Sequence, residues 1–236
     1  MSTPDKPRFR QDGFRWGMSR RGLNVILRHI FGFQIEVEGL ENVPAGESLI
    51  IAAAPHRNWL DPFLVLLVLP GRPRIYFLGS REAVFNTWWK KLLLGALGGV
   101  VPVSSEGRLN REALETAVQV LRSGASLGVF PEGWGHTYDP PDQLAEIKRG
   151  VTWVAMNANR RILPVGLAGT RDLWRGKTLR VRIGPPMAPP AEGSRRAGEA
   201  QATRALEQGL YEVLPPQPPF VEPSLRPWPW LTSLLD

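Results

Sequence analysis

An α/β fold with a mostly parallel, mixed sheet flanked by helices is the class this sequence predicts, on three observations. Seven short apolar runs read as strands, each bounded by Gly, Pro or Ser. Helical patterns alternate with them, the order expected of a largely parallel sheet. A chain of 236 residues, 43% hydrophobic and 22% charged, has ordinary globular composition and is long enough to bury one substantial core.

The elements follow in order. Residues 1–12 are polar. From Phe14 to Phe33 the pattern predicts a helix, because Leu23, Ile26, Leu27, Ile30 and Phe31 recur at helical spacing with Arg20, Arg21, Asn24 and Arg28 elsewhere on the wheel. QIEVEG, SLIIAAA, RIYFLGS, GGVVPVS, SLGVFPEG, ILPVGLAGT and LRVRIG are the seven strands. Helices are expected at 62–69, 86–97, 109–122, 149–159 and 198–213. Residues 184–197 form a Pro- and Gly-rich connection, and 215–230 (PPQPPFVEPSLRPWPW) can be neither regular helix nor central strand, so they should run as an extended strap. The organisation is therefore a basic amphipathic segment at 1–34, one domain at 35–213 and a Pro/Trp-rich tail at 214–236.

Charge narrows the partners. The formal net charge is +7, and between Met1 and Phe33 seven basic residues face two acidic ones, leaving +5 in that stretch. A basic helix with an apolar face either packs on the core with a solvated rim or lies on an anionic lipid surface. Trp228, Trp230 and Leu231 pose the same choice, packing on the domain or sitting at a headgroup boundary. Charge alone suggests nucleic acid too, but no recognition motif accompanies it, so nucleic acid is not an expected partner. The longest apolar stretches, 63–69 and 92–103, fall short of the roughly 20 residues that span a bilayer. With no small-residue cleavage pattern after the N-terminal segment, no secretory signal is expected. The expected location is the cytoplasmic face of a membrane, held peripherally or monotopically.

The chemistry centres on IAAAPHRNWLDPF at 51–63. Asp61-Pro62 is a good helix start, with Asp as N-cap and Pro at the first helical position. RNWL is just long enough to turn a strand end back over that start, which places His56 beside Asp61. A carboxylate that takes the Nδ1 proton fixes the tautomer and leaves Nε2 as a base for a hydroxyl. Without Cys, and without a Gly-x-Ser-x-Gly elbow, the chain offers no evident nucleophile of its own, which points to a substrate hydroxyl; on this spacing alone a hydrogen-bonded structural histidine is the alternative. VFPEGWGHT at 129–137 ends a strand with glycines that permit positive φ, and can aim amides or the Glu132 carboxylate at a bound polar group.

These stretches together resemble the glycerolipid acyltransferases related to lysophosphatidic acid acyltransferase. EVEGLENVPAGESLIIAAAPHRNWLDPF carries a His-X4-Asp motif, VFPEGWGHT follows the family's FPEGTRS, and ILPVGLAGT holds its Pro-Val strand at Pro164 and Val165. The resemblance covers residues 35–190. It implies that His56 is the general base, that Asp61 orients it, and that Phe130, Pro131, Glu132 and Gly133 help bind the acceptor. The acceptor hydroxyl would attack an acyl thioester, acyl-CoA or acyl-ACP, directly; no metal, acyl-enzyme or other cofactor is implied.

Two family arginines are absent. Ser104 and Ser105 stand where Asp-Arg is expected, and Gly135 occupies the Arg position of the third motif. Each hydrogen bond to a charged group is worth about 1.5–3 kcal/mol, so their loss removes roughly two to four decades of phosphate binding unless something replaces them. Arg108, Arg111, His136, Lys148 and Arg149 are the candidates, with KRG at 148–150 matching a basic-Gly element that follows the third motif in relatives. The expected acceptor is lysophosphatidic acid in phospholipid biosynthesis. A neutral lipid alcohol, such as a glycolipid or hydroxylated isoprenoid, and a non-catalytic lipid-binding scaffold are the alternatives.

Overall fold

The structure is a computed structural model that describes residues 20–80, 100–103, 111–133, 143–189 and 195–234. Its frame is a seven-stranded sheet in the order β1-β7-β6-β2-β5-β3-β4. The strands are β1 (Gln34–Glu38), β2 (Ile50–Ala54), β3 (Ile75–Ser80), β4 (Val100–Val103), β5 (Ser126–Val129), β6 (Ile162–Ala168) and β7 (Thr178–Ile183). All seven expected runs are strands. Every neighbouring pair is parallel except β6 and β7, which makes the sheet mixed.

Burial follows position in the sheet. Every residue of β2, β5 and β6 is buried, as two covered faces require, whereas β7 alternates toward the edge. The pleat of β2 divides the core: Ile51 and Ala53 join the apolar layer on one face, while Ile50, Ala52 and Ala54 join the layer on the other. The first layer is roofed by α1 (Asp61–Val68) and by a helix at residues 20–30, the second by α2 (Arg111–Arg122), α3 (Gly150–Ala158) and α4 (Arg195–Glu212). Helix α1 reads apolar all round because it is buried from Phe63 to Leu66. The helix expected at 86–97, like residues 14–19 of the first helix, lies outside the described residues.

The N-terminal helix departs from its expected stripe. Leu23 and Leu27 enter the core, but Ile26 and Ile30 stand 40% and 49% exposed. From Ile26 to Ile30 the helix widens to a π turn, with the Phe31 amide donating to the Ile26 carbonyl at 2.9 Å. This change of period rotates Ile30 off the 3.6-residue face, whereas Ile26 opens the turn beside exposed Val25. Among the described residues, no helix is long and apolar enough to cross a membrane.

The tail has no regular secondary structure over 214–222, then makes two short 3₁₀ turns, Pro223–Leu225 and Pro229–Ser233. Leu231 is fully buried in the first core layer, while Trp228 and Trp230 remain 41% and 52% exposed. Thus one residue of the Trp-rich stretch is an anchor and the two indoles face outward. The start of the tail presses on β6: a Cβ at Gly166 would lie 2.0 Å from the Val213 carbonyl oxygen. Gly166→Ala should therefore destabilise the protein by about 1–3 kcal/mol, read as a lower urea midpoint at unchanged m.

Candidate active site

Two neighbouring parallel strands deliver the site. Strands β2 and β5 pair with Ala52 opposite Val129, so the segments leaving their carboxyl ends, 55–60 and 130–133, emerge side by side. That end of an α/β sheet is where ligands bind. The stretch after β2 carries His56, and the stretch after β5 carries Phe130-Pro131-Glu132-Gly133.

His56 and Asp61 meet as their spacing predicts. The imidazole Nδ1 lies 2.8 Å from Asp61 Oδ2. The same oxygen accepts the backbone amides of Arg57 at 2.7 Å and Asn58 at 2.8 Å. A carboxylate ringed by two amide donors is an acceptor, so Nδ1 carries the proton and Nε2 is the basic nitrogen of the ring. Asp61 is wholly buried, and its other oxygen has no hydrogen-bond partner among the described residues. The expected N-cap role is corrected: Asp61 is the first helical residue, Leu60 occupies the cap position, and the carboxylate turns back to the loop rather than forward to the helix amides. The turn of RNWL brings the amides of residues 57 and 58 nearer than those of the helix.

The ring is also held on one face. Phe130 stacks on His56 with centroids 4.0 Å apart and planes 16° from parallel, and Phe77 of β3 stacks behind Phe130 at 5.8 Å. Apolar contact on the imidazole leaves its motion confined to the plane that Asp61 already fixes.

Glu132 turns inward. One carboxylate oxygen accepts the His56 backbone amide at 2.8 Å, and the other accepts the Ala145 amide at 2.7 Å. Arg57 Nη1 approaches within 3.7 Å, and both side chains are buried. Instead of reaching toward an acceptor, this carboxylate ties the β2 exit, the β5 exit and the segment before α3 into one body. Gly133 takes φ +85°, as the turn requires, and Pro131 accepts the Lys148 amide at 2.8 Å.

The proposed basic substitutes are less uniform. Lys148 and Arg149 flank the turn but are exposed, and the Lys148 ammonium pairs with Glu146 at 3.1 Å. Arg111 is exposed and pairs with Glu115 one helical turn on. Arg108, His136, Ser104, Ser105 and Gly135 lie outside the described residues, as do Trp88, Trp89 and Trp134.

Two residues, Arg57 and Asn58, escaped the sequence reading, and a third, Trp59, suggests from its place near the motif only acyl-groove lining or core packing. RNWL looked like a spacer, yet Arg57 is 2% exposed and donates from Nη2 to the Gln143 carbonyl at 2.7 Å. Asn58 Nδ2 donates to the Thr232 carbonyl at 3.0 Å, and the Trp59 indole donates to the Leu231 carbonyl at 2.9 Å. Trp59 therefore spends its polar edge on the tail, which is stapled to the loop between His56 and Asp61. The tail is secured in turn on the 171–177 loop, where Thr232 Oγ1 and the Leu173 backbone exchange two hydrogen bonds and Arg226 lies over Trp174. Burial in that loop lowers the Lys177 ammonium to about 8, with nearby Asp172 opposing the shift. Among the described residues no group of three or more His, Asp or Glu side chains could hold a metal ion.

Glu132→Gln replaces one acceptor by an NH2 that must face a buried amide donor. We expect a loss of about 1–3 kcal/mol in stability. Turnover should fall about 10- to 100-fold through displacement of the His56 backbone, with the acceptor KM little changed. Equilibrium unfolding and steady-state kinetics on the same preparation check both.

Comparison with known proteins identifies the family and the fold. The acyltransferase family model matches residues 34–168, more than half of the chain. The chain is 27% identical over 168 residues to the 1-acyl-sn-glycerol-3-phosphate acyltransferase of Streptococcus pneumoniae, covering 69% of this chain and 58% of that protein. It is 26% identical over 185 residues to the enzyme of the same name from Bacillus subtilis, covering 76% and 87%. A chloroplastic Arabidopsis thaliana relative matches over only 37% of its length, so the chain spans well under two thirds of some relatives. The crystal structure of the 1-acyl-sn-glycerophosphate acyltransferase from Thermotoga maritima shares the fold, with a TM-score of 0.56 over 84% of this chain and 78% of that one at 21% identity. The match over residues 34–168, a span that contains both His56 and Asp61, places this chain in the acyltransferase family.

Proposed function

We propose that this protein transfers a fatty acyl group from an acyl thioester to the free hydroxyl of 1-acyl-glycerol-3-phosphate. The observation that carries the reading is the bond from His56 Nδ1 to Asp61 Oδ2, in a ring clamped by Phe130. The relatives from Streptococcus pneumoniae and Bacillus subtilis, both 1-acyl-sn-glycerol-3-phosphate acyltransferases by name, support the choice of acceptor.

In this mechanism Nε2 of His56 takes the proton of the acceptor hydroxyl as its oxygen attacks the thioester carbonyl carbon. Asp61 stabilises the imidazolium that forms, without itself taking the proton. The tetrahedral adduct collapses, the C–S bond breaks, and the imidazolium returns the proton to the departing thiolate. The products are an ester and a free thiol, and no covalent enzyme intermediate is required. Acyl-CoA and acyl-ACP both fit this chemistry.

A bilayer would supply the acceptor. Ile26 and Ile30 are exposed on the N-terminal helix, and Trp228 and Trp230 on the tail. Arg175 joins the two groups, donating to the Ile30 carbonyl and lying 5.3 Å over the Trp228 ring. Exposed indoles beside a guanidinium suit the headgroup boundary. The tail that carries them also grips Asn58 and Trp59, so a seated protein would bring the loop of His56 toward lipid on the cytoplasmic face of the membrane.

The test is thiol release from acyl-CoA and acyl-ACP with 1-acyl-glycerol-3-phosphate and with an uncharged lipid alcohol in parallel. We expect turnover on the phosphate-bearing acceptor, and a loss of about 1,000-fold or more in His56→Ala with the native fold retained by circular dichroism, the scale of losing a catalytic base and its partner's purpose together. Turnover on the neutral acceptor alone would favour the alternative raised by Ser105 and Gly135. Full activity in His56→Ala would leave only a lipid-binding role.

A further inference from the structure

The far end of α1 carries a second feature that acyl transfer does not use. A cavity of about 840 Å³ opens between the N-terminal helix, the loop after α1 and the end of β1. Arg21, Asn24 and Arg28 line it from one side of the helix, at spacings of three, four and seven residues, and Arg72 faces them from the loop. Leu40 and Leu67 contribute to an apolar floor. None of its lining residues is acidic, and among the described residues Arg21, Arg28 and Arg72 form no ion pair with a carboxylate.

The cavity is a built part of the fold rather than a gap between loose arms. Arg20, in its wall, donates from Nη2 to the Leu67 and Leu69 carbonyls, capping the C-terminal end of α1. Arg28 reaches the Ile35 carbonyl of β1 at 3.5 Å. Leu67 lies six residues along α1 from Asp61, so the floor is roughly 9 Å from the aspartate along the helix axis, at the opposite end from the active site.

We infer that this cleft binds the phosphate headgroup of an anionic phospholipid that is not the substrate. Several guanidiniums converging without a counter-charge select a phosphate. The apolar floor, with Val25 and Ile26 exposed on the adjoining face of the same helix, selects a phosphate that carries acyl chains over one that is free in solution. The helix thus touches lipid in two ways along its length: arginines grip a headgroup near residue 21, and apolar side chains enter the interface toward residue 30. The site extends the bilayer association proposed above but is independent of acyl transfer.

Arg21→Ala with Arg72→Ala tests it, since both side chains are exposed and their removal spares the core. The control is Arg122→Ala with Arg204→Ala, which removes the same charge from exposed positions on α2 and α4, the helices on the opposite face of the sheet. Affinity is measured by co-sedimentation with phosphatidylglycerol–phosphatidylcholine vesicles, with pure phosphatidylcholine vesicles, and with the mixed vesicles in competition with inorganic phosphate. Removing two headgroup contacts should weaken binding to the anionic vesicles about 10- to 30-fold and leave binding to phosphatidylcholine unchanged. The control should lose no more than about threefold, and phosphate should compete only weakly. Thiol release with a short-chain, monomeric 1-acyl-glycerol-3-phosphate should be unaltered by the cleft variant, which separates failure of this site from failure of the proposed reaction. Equal losses in both double variants would reduce the effect to net charge and overturn the proposal. So would a cleft variant that binds like the parent, or phosphate competing as well as lipid.

Discussion

One oxygen of Asp61 receives three donors, the ring of His56 and the amides of Arg57 and Asn58. These bonds hold the short loop between strand and helix from within, while Glu132 and the tail hold it from outside. The carboxylate that orders the loop is also the one that orients the ring, so folding and catalysis draw on a single group. Burial sharpens this coupling: a wholly buried carboxylate is costly unless its donors are in place, and here they arrive only when the loop is closed.

Glu132 performs the equivalent service between segments distant in sequence. It accepts from residue 56 across 76 positions and from residue 145 across 13, which sets the spacing between the exits of β2 and β5. Sheet order makes this possible. With β5 inserted between β2 and β3, the two motifs leave adjacent parallel strands at the same end. The tail closes the site's other side through Trp59 and Asn58, so a short 3₁₀ turn over 170 residues from the histidine shares the control of its loop.

Much of this was legible in the residues. All seven strands were marked by short apolar runs between turn formers, and His56 beside Asp61 followed from five positions and a helix start. What was not legible depended on neighbours that no local pattern reports. The inward turn of Glu132 needs the β2–β5 adjacency, and the burial of Arg57 needs Glu132 and Gln143 beside it. The exposure of Ile30 comes from a π turn that periodicity at 3.6 residues cannot anticipate. Among the tail's apolar residues, Leu231 and the two tryptophans looked interchangeable, and only the pocket under Leu231 separates anchor from outward face.

The central claim is that Asp61 holds the proton on Nδ1 of His56 and leaves Nε2 as the base. With only three histidines in the chain, ¹⁵N NMR of the imidazoles, assigned by comparison with His56→Ala, reads this directly. The structure predicts that neutral His56 shows a protonated, strongly hydrogen-bonded Nδ1 and an unprotonated Nε2, and that Asp61→Asn removes that preference. A His56 ring protonated on Nε2 in the parent protein, or one indifferent to Asp61→Asn, would contradict it.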